Sequence, residues 1–500
     1  MSGEKKEEKM DRRKYIKYIG AGAAIAAAAA IGYGVSELTK PPPKPTTVVT
    51  TVPAPTTIVT TVPTVITVPT PVVTTYSTPS PTSRRITVWW TTMYLAAEQL
   101  ATIQAVREFE KQTGIGVDIT FFTEAGLVEK VTTAVEGKKF PDIVLTHMPF
   151  LAANIAVNGL LEDLTSFVNE IKNDLLPPVL EASLQFNKVE NKWSYYAIPL
   201  LTDAYNVHFW KDLYGRDSAP TDWEEFWASV KEAHNKICKP KGIYGYGLTM
   251  SDLQTDGYEA FHAISKSFGF DPFPERKLAI DTPSNRKALI ETIEFATSLY
   301  RQGLFPPGVI TWKNPDNNNA FHSRIIAGTS NHTLSIPAYQ YENNKDNYYN
   351  KMFTSVWPIG PYGDNRVQLN ARHIFIFKDA PNKDLALKFL SFFLTPENYA
   401  PYVKGYIGRF VPILKSALEI DKDFWYNPKD PNIPVQVEAV TKRKGAPLLN
   451  TLHPVWAKLD ADNIFPRAWI KVLTQNITPE QAADELIAQV KKAFEEFYRA

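Results

Sequence analysis

The chain has 500 residues, a formal net charge of +1, 44% hydrophobic and 12% aromatic residues, and one cysteine. That length allows more than one domain with large cores, and the near-neutral balance supplies no field for nucleic acid as a partner. A lone thiol, Cys238, excludes an internal disulfide and any cysteine-built metal cluster.

Residues 1–17 form a basic cytoplasmic tail with Arg12, Arg13, Lys14 and Lys17, and residues 18–36 carry no charge. At ~1.5 Å per helical residue the uncharged run approaches the ~30 Å of a bilayer core, which predicts a signal segment or transmembrane anchor. The basic flank stays inside, so the chain beyond residue 36 is expected outside the cytoplasm. Arg12-Arg13 also resembles a twin-arginine export signal. Residues 37–84 are mainly Pro, Thr and Val. Proline removes ladder donors and few side chains there can build a core, so this stretch predicts a disordered, polyproline-like stalk.

From residue 85 the patterning changes. Ile86-Thr87-Val88-Trp89-Trp90 is strand-like, Leu95, Ile103, Val106 and Phe109 fall on one helical face, and Gly114 suits a C-cap. Val117, Ile119 and Phe121 alternate as a second strand, a helical run follows through Val135, and Asp142-Ile143-Val144-Leu145 is a third strand before another helix. Alternation of this kind predicts a parallel sheet with right-handed crossovers. Ligands meet such sheets at the carboxyl ends of the strands, which singles out Trp90-Thr91-Thr92, Thr123-Glu124 and Thr146-His147-Met148.

Residues 195–210 are two apolar, aromatic-rich runs around a polar Thr202-Asp203, which reads as extended chain with a break where function would sit. Thr221 and Glu224 have capping-box spacing ahead of Trp223, Phe226, Trp227 and Val230. Further on, Gly245-Tyr246-Gly247-Leu248 is strand-like and residues 286–303 and 382–394 are helical. Thr478-Pro479-Glu480-Gln481 is a second capping box that opens a helix through Phe497.

Lys211-Asp212-Leu213-Tyr214 followed by Pro220-Thr221-Asp222-Trp223-Glu224-Glu225-Phe226 resembles extracellular solute-binding proteins of family 1, the sugar-binding subunits of ABC importers. Phe109-Glu110-Lys111-Gln112-Thr113-Gly114, Pro141-Asp142-Ile143 and Gly159-Leu160-Leu161-Glu162-Asp163-Leu164 continue the resemblance. It implies an α/β, periplasmic-binding-protein-like fold of two lobes joined by hinge crossings. Residues 85–204 and 360–404 are expected in the first lobe, and 205–359 and 405–500 in the second. It also implies a carbohydrate ligand, ABC permease subunits as partners and no catalysis.

A carbohydrate needs exposed rings beside planar polar groups. Trp90, Tyr205, Trp357 and Trp456 are the expected stacking rings, and Thr91, Glu124, His147, Asp203, Asp256 and Asn331 the expected polar contacts. No metal or cofactor is called for. The competing readings are a sensor or adhesin on the same fold, an importer subunit for a non-sugar solute and, more remotely, a glycosidase. A glycosidase would need two acids facing one another. The close acid pairs, Glu224-Glu225, Asp460 with Asp462 and Glu495-Glu496, have helical spacings that point them apart.

Overall fold

Ile86, Val88 and Trp90 are buried on one face of the strand Arg85–Thr91 and Trp89 on the other, the period-two alternation of a pleated strand. The computed structural model describes residues 74–77, 84–92 and 94–499. Its strands are β1 (Thr74–Ser77), β2 (Arg85–Thr91), β3 (Gly116–Phe122), β4 (Ile143–Thr146), β5 (Leu184–Asn187), β6 (Lys192–Tyr195), β7 (Ile198–Ala204), β8 (Asn206–Trp210), β9 (Gly328–Asn331), β10 (Met352–Val356), β11 (Arg366–Phe375) and β12 (Lys444–Pro447). A 7-stranded sheet runs β1-β3-β2-β4-β11-β12 with β7 also on β11, a 3-stranded sheet runs β10-β8-β9, and β5 and β6 form a hairpin.

β2, β3 and β4 are parallel, joined through the helices Ala96–Thr113 and Glu124–Gly137, as the alternation predicts. The whole sheet is mixed. β11 runs antiparallel to β4 and β7, because it re-enters from the second sheet and not through a local crossover helix. Tyr205 alone separates β7 of the large sheet from β8 of the small one, so the crossing takes place where the polar break stands in the sequence.

Two apolar cores are the largest among the described residues. One gathers Val88, Ile119, Leu145, Leu200, Phe389 and Val403 on the large sheet; the other gathers Phe209, Phe226, Phe261, Leu289, Trp456 and Trp469. The transfer expected at residue 405 does not occur there. Tyr406, Phe410, Val437 and Val440 stay in the first core, β12 extends the large sheet, and Leu449 is where the chain joins the second core. The helix Ile433–Lys442 holds this segment back by burying Val437 and Val440 in the first core.

Other expectations shift locally. The helix Trp223–Ala233 is capped by Asp222, whose Oδ1 accepts from Glu225 N–H at 3.0 Å. The Thr221 carbonyl instead accepts from Ile359 N–H at 2.7 Å and ties down the return segment. Gly245-Tyr246-Gly247-Leu248 contributes only the isolated bridge Gly247↔Thr329. The second capping box stands, with Gln481 N–H on Thr478 Oγ1 at 3.2 Å and Thr478 N–H on Gln481 Oε1 at 2.9 Å. The basic tail (1–17) and the expected anchor (18–36) lie outside the described residues. So does most of the stalk, but Thr74–Ser77, at its end, forms β1 and pairs antiparallel with β3 instead of staying structureless. Among the described residues no helix is long and apolar enough to cross a membrane.

Candidate functional site

β7 and β11 lie side by side with Asp203 opposite Asn370, and Arg372, two residues on, presents to the same face. Arg372 Nη2 lies 3.0 Å from Asp203 Oδ2, and His332, which follows β9 of the small sheet, places Nδ1 3.0 Å from Asp203 Oδ1. All three side chains are buried. Asn370 Nδ2 donates to Glu259 Oε1 at 3.3 Å, linking β11 to the helix Thr255–Ser267 of the second core. These contacts form a seam between the two cores.

A second ion pair closes the same seam. Glu98 accepts from the backbone N–H groups of Tyr94 and Leu95 at 2.9 and 3.2 Å and from Arg409 Nη1 at 2.9 Å. Burial pushes the Glu98 carboxyl up and Arg409 pulls it back. The Arg409 guanidinium lies 5.2 Å from the Tyr94 ring centre and 4.8 Å from that of Phe410. Arg372 lies 5.4 Å from the same Phe410 ring, and His147 meets it edge-on at 5.8 Å. Burial, with Arg372 and Arg409 beside it, holds His147 well below its ordinary pKa and so neutral, and its Nε2 has no hydrogen-bond partner.

Glu124 opens the helix Glu124–Gly137, where the N-terminal dipole favours an acid. Asp256 and Glu259 sit one turn apart on the helix Thr255–Ser267. Each keeps part of its surface accessible although protein encloses it, as expected of side chains that line a cleft. Burial raises all three carboxyls. Glu124 adds to the shift of Asp256, and Asp256 to that of Glu259, while Arg372 opposes each.

Glu124, His147, Asp203 and Asp256 come together at the seam. Thr91 supports them from below: its hydroxyl donates to the Leu145 carbonyl at 3.3 Å and accepts from His147 N–H at 3.2 Å. Tyr205 braces the crossing, with its hydroxyl 2.8 Å from Ser330 Oγ and its ring edge-on to His332 and Trp357. Asn331 is locked by Asn317, Asn318 and Ser335. The expected stacking indoles are corrected. Trp90 is walled in by Phe393 and Tyr402, Trp456 by Phe273, Phe465 and Phe494, and Trp357 packs on Trp223 and Trp227 with Nε1 donating to Ser267 Oγ at 2.9 Å. Strand register turns Trp90 and helix register turns Trp456 to a core, and Trp357, just past β10, is held inward by its indole neighbours and its bond to Ser267, so none leaves a ring face open.

Glu98, Glu259, His332, Asn370, Arg372 and Arg409 were not anticipated. Val367, Leu369 and Ala371 alternating with Gln368, Asn370 and Arg372 is a period-two signal that would have revealed β11 and its polar face. Of the acid pairs, Asp460 is held by His262 at 3.0 Å and Asp462 by Lys458 at 2.7 Å. Among the described residues no cluster of His, Cys, Asp and Glu is arranged to hold a metal ion.

A family model described as bacterial extracellular solute-binding protein matches residues 104–434. No curated protein sequence matches the chain. Similar solved structures include an ABC transporter solute-binding protein from Thermotoga lettingae bound with alpha-D-tagatose, at 19% identity and TM-score 0.66, covering 82% of this chain and 100% of that one. A sugar transporter from Arthrobacter chlorophenolicus with bound laminaribiose has 18% identity and TM-score 0.65, covering 82% and 99%. Maltose-bound T. maritima MalE3 has 21% identity and TM-score 0.63, covering 82% and 99%. These likenesses establish the fold.

Proposed function

Because this chain belongs to the bacterial extracellular solute-binding proteins, we propose that it captures a carbohydrate between its lobes and delivers it to an ABC permease. The observation that carries this reading is the enclosed polar seam. Asp203 reaches it from the large sheet and Glu124 from the helix that follows β3, Asp256 and Glu259 reach it from the helix Thr255–Ser267, and Glu124, Asp256 and Glu259 keep accessible surface there. Sugar hydroxyls are donors that such acceptors suit, and each bond contributes only about 0.5–1.5 kcal/mol, so groups from both lobes must act together. A ligand touching both lobes favours the closed arrangement; one touching a single lobe would shift nothing. The tagatose, laminaribiose and maltose in the similar structures support the ligand class. The uncharged run 18–36 anchors the protein at the outer face of the cytoplasmic membrane, with the Pro/Thr-rich residues ahead of β1 as a spacer. Calorimetric titration of the full-length chain against mono- and oligosaccharides tests the proposal: saturable heat with at least one sugar is expected, and none with any sugar overturns it.

A further inference from the structure

The seam carries more acid than base. Arg409 neutralises Glu98 at 2.9 Å, and Arg372 neutralises Asp203 at 3.0 Å, with the His332 ring beside the other Asp203 oxygen. Glu124, Asp256 and Glu259 are left, and among the described residues no Lys or Arg forms an ion pair with them. The hydrogen-bond partner of Glu259 is the neutral amide of Asn370. Glu124 feels Arg372 and Arg409 from a distance; Asp256 feels Glu124, Asp316 and Arg372; Glu259 feels His332, Asp256, Arg372 and Asp203. An enclosed carboxylate without a counter-ion is costly, and a sugar hydroxyl can hydrogen-bond to it but leaves its charge.

We propose that the carbohydrate taken here is an amino sugar whose protonated amine lies between Glu124 of the first lobe and Asp256 and Glu259 of the second. The inference rests on the carbohydrate reading above and narrows it. A metal ion is the other way to neutralise such a site, but among the described residues no group of three His, Cys, Asp or Glu side chains could hold one. An ammonium is a compact point charge with three donors, which fits acceptors approaching from two sides. A second observation points to a ligand. His147 is 7% exposed and neutral, and its Nε2 is unpartnered beside the two guanidiniums that act on Glu124; Arg372 Nε, equally buried, is also unpartnered. A neutral imidazole nitrogen and a spare guanidinium donor suit hydroxyls of the same sugar, which both donate and accept.

The test is titration of the full-length chain with matched ligands: glucosamine against glucose and N-acetylglucosamine, and the chitosan disaccharide against cellobiose and di-N-acetylchitobiose, with 1,6-diaminohexane as an amine that is no sugar. At least one amino sugar should bind about tenfold or more tighter than both its counterparts, as expected of hydrogen bonds to charged groups. The near-isosteric Asp256→Asn and Glu259→Gln should cut that preference to under about threefold. Equal or tighter binding of the neutral counterparts, or binding of only a neutral sugar from the wider series, overturns the inference and leaves the carbohydrate reading standing. Binding of the diamine with no sugar bound overturns both, as does the absence of any binding.

Discussion

Asp203 is fully buried, with the Arg372 guanidinium 3.0 Å from one carboxylate oxygen and the His332 ring nitrogen Nδ1 3.0 Å from the other. Removing one partner of a buried pair strands the other, so Asp203→Ala should weaken sugar binding and also cost about 3–5 kcal/mol in denaturant unfolding, because Arg372 loses its counter-ion. A cost below about 1 kcal/mol would put the pair in the class of exposed, weakly contributing bridges. Cys238 shows the opposite use of burial. Its Sγ–H donates to the Leu213 carbonyl at 3.3 Å, and burial pushes the thiol up to about 11. The folded protein should therefore leave a thiol reagent unreacted, with full reaction only after denaturation, as read by absorbance. Asp203 stands out in the sequence, since a polar break between apolar runs invites attention. Its partners do not, because Arg372 and His332 are far along the chain and only tertiary contact brings them to it.

At the scale of elements, the helix Thr255–Ser267 carries Asp256 and Glu259 to the seam and is positioned by a close approach. A Cβ on Gly257 would overlap the carbonyl oxygen of Ser251. Gly257→Ala should displace this turn and weaken sugar affinity by about tenfold or more in calorimetry; unchanged affinity would mean the helix start is not what aims these acids. The cap of Trp223–Ala233 is a smaller effect, and Asp222→Ala should cost about 1 kcal/mol of stability. Elements with local periodicity, β2 to β4 and their crossover helices, were legible because strand and helix periods differ. β11 carries the same kind of local alternation, but its importance comes from pairing with β4, β7 and β12 at once, which no local window contains.

For the molecule as a whole, pH separates the charge of the seam from the rest of the fold. Burial raises the pKa of Asp256 and Glu259. A raised carboxyl binds its proton more tightly folded than unfolded. Its penalty is therefore absent below the ordinary carboxylate value near ~4 and grows as pH rises toward the raised one. In the absence of sugar, Asp256→Asn should thus gain stability over the native chain as pH rises above about 4, measured as the difference in Tm between the two proteins. A difference that stays flat with pH would mean the carboxyl ionises in the folded chain as freely as in the unfolded one.

The amino-acid sequence alone determined the α/β class, the place of the first crossing and several of the acids that gather there, because strand alternation, helix caps and polar breaks are local and survive without context. Tertiary structure decided which tryptophans are core, which basic side chains neutralise Glu98 and Asp203, and that residues 406–447 remain with the large sheet. Those outcomes depend on which distant faces bury each other and which charges meet across the seam, quantities that belong to pairs of elements and to no single stretch of chain.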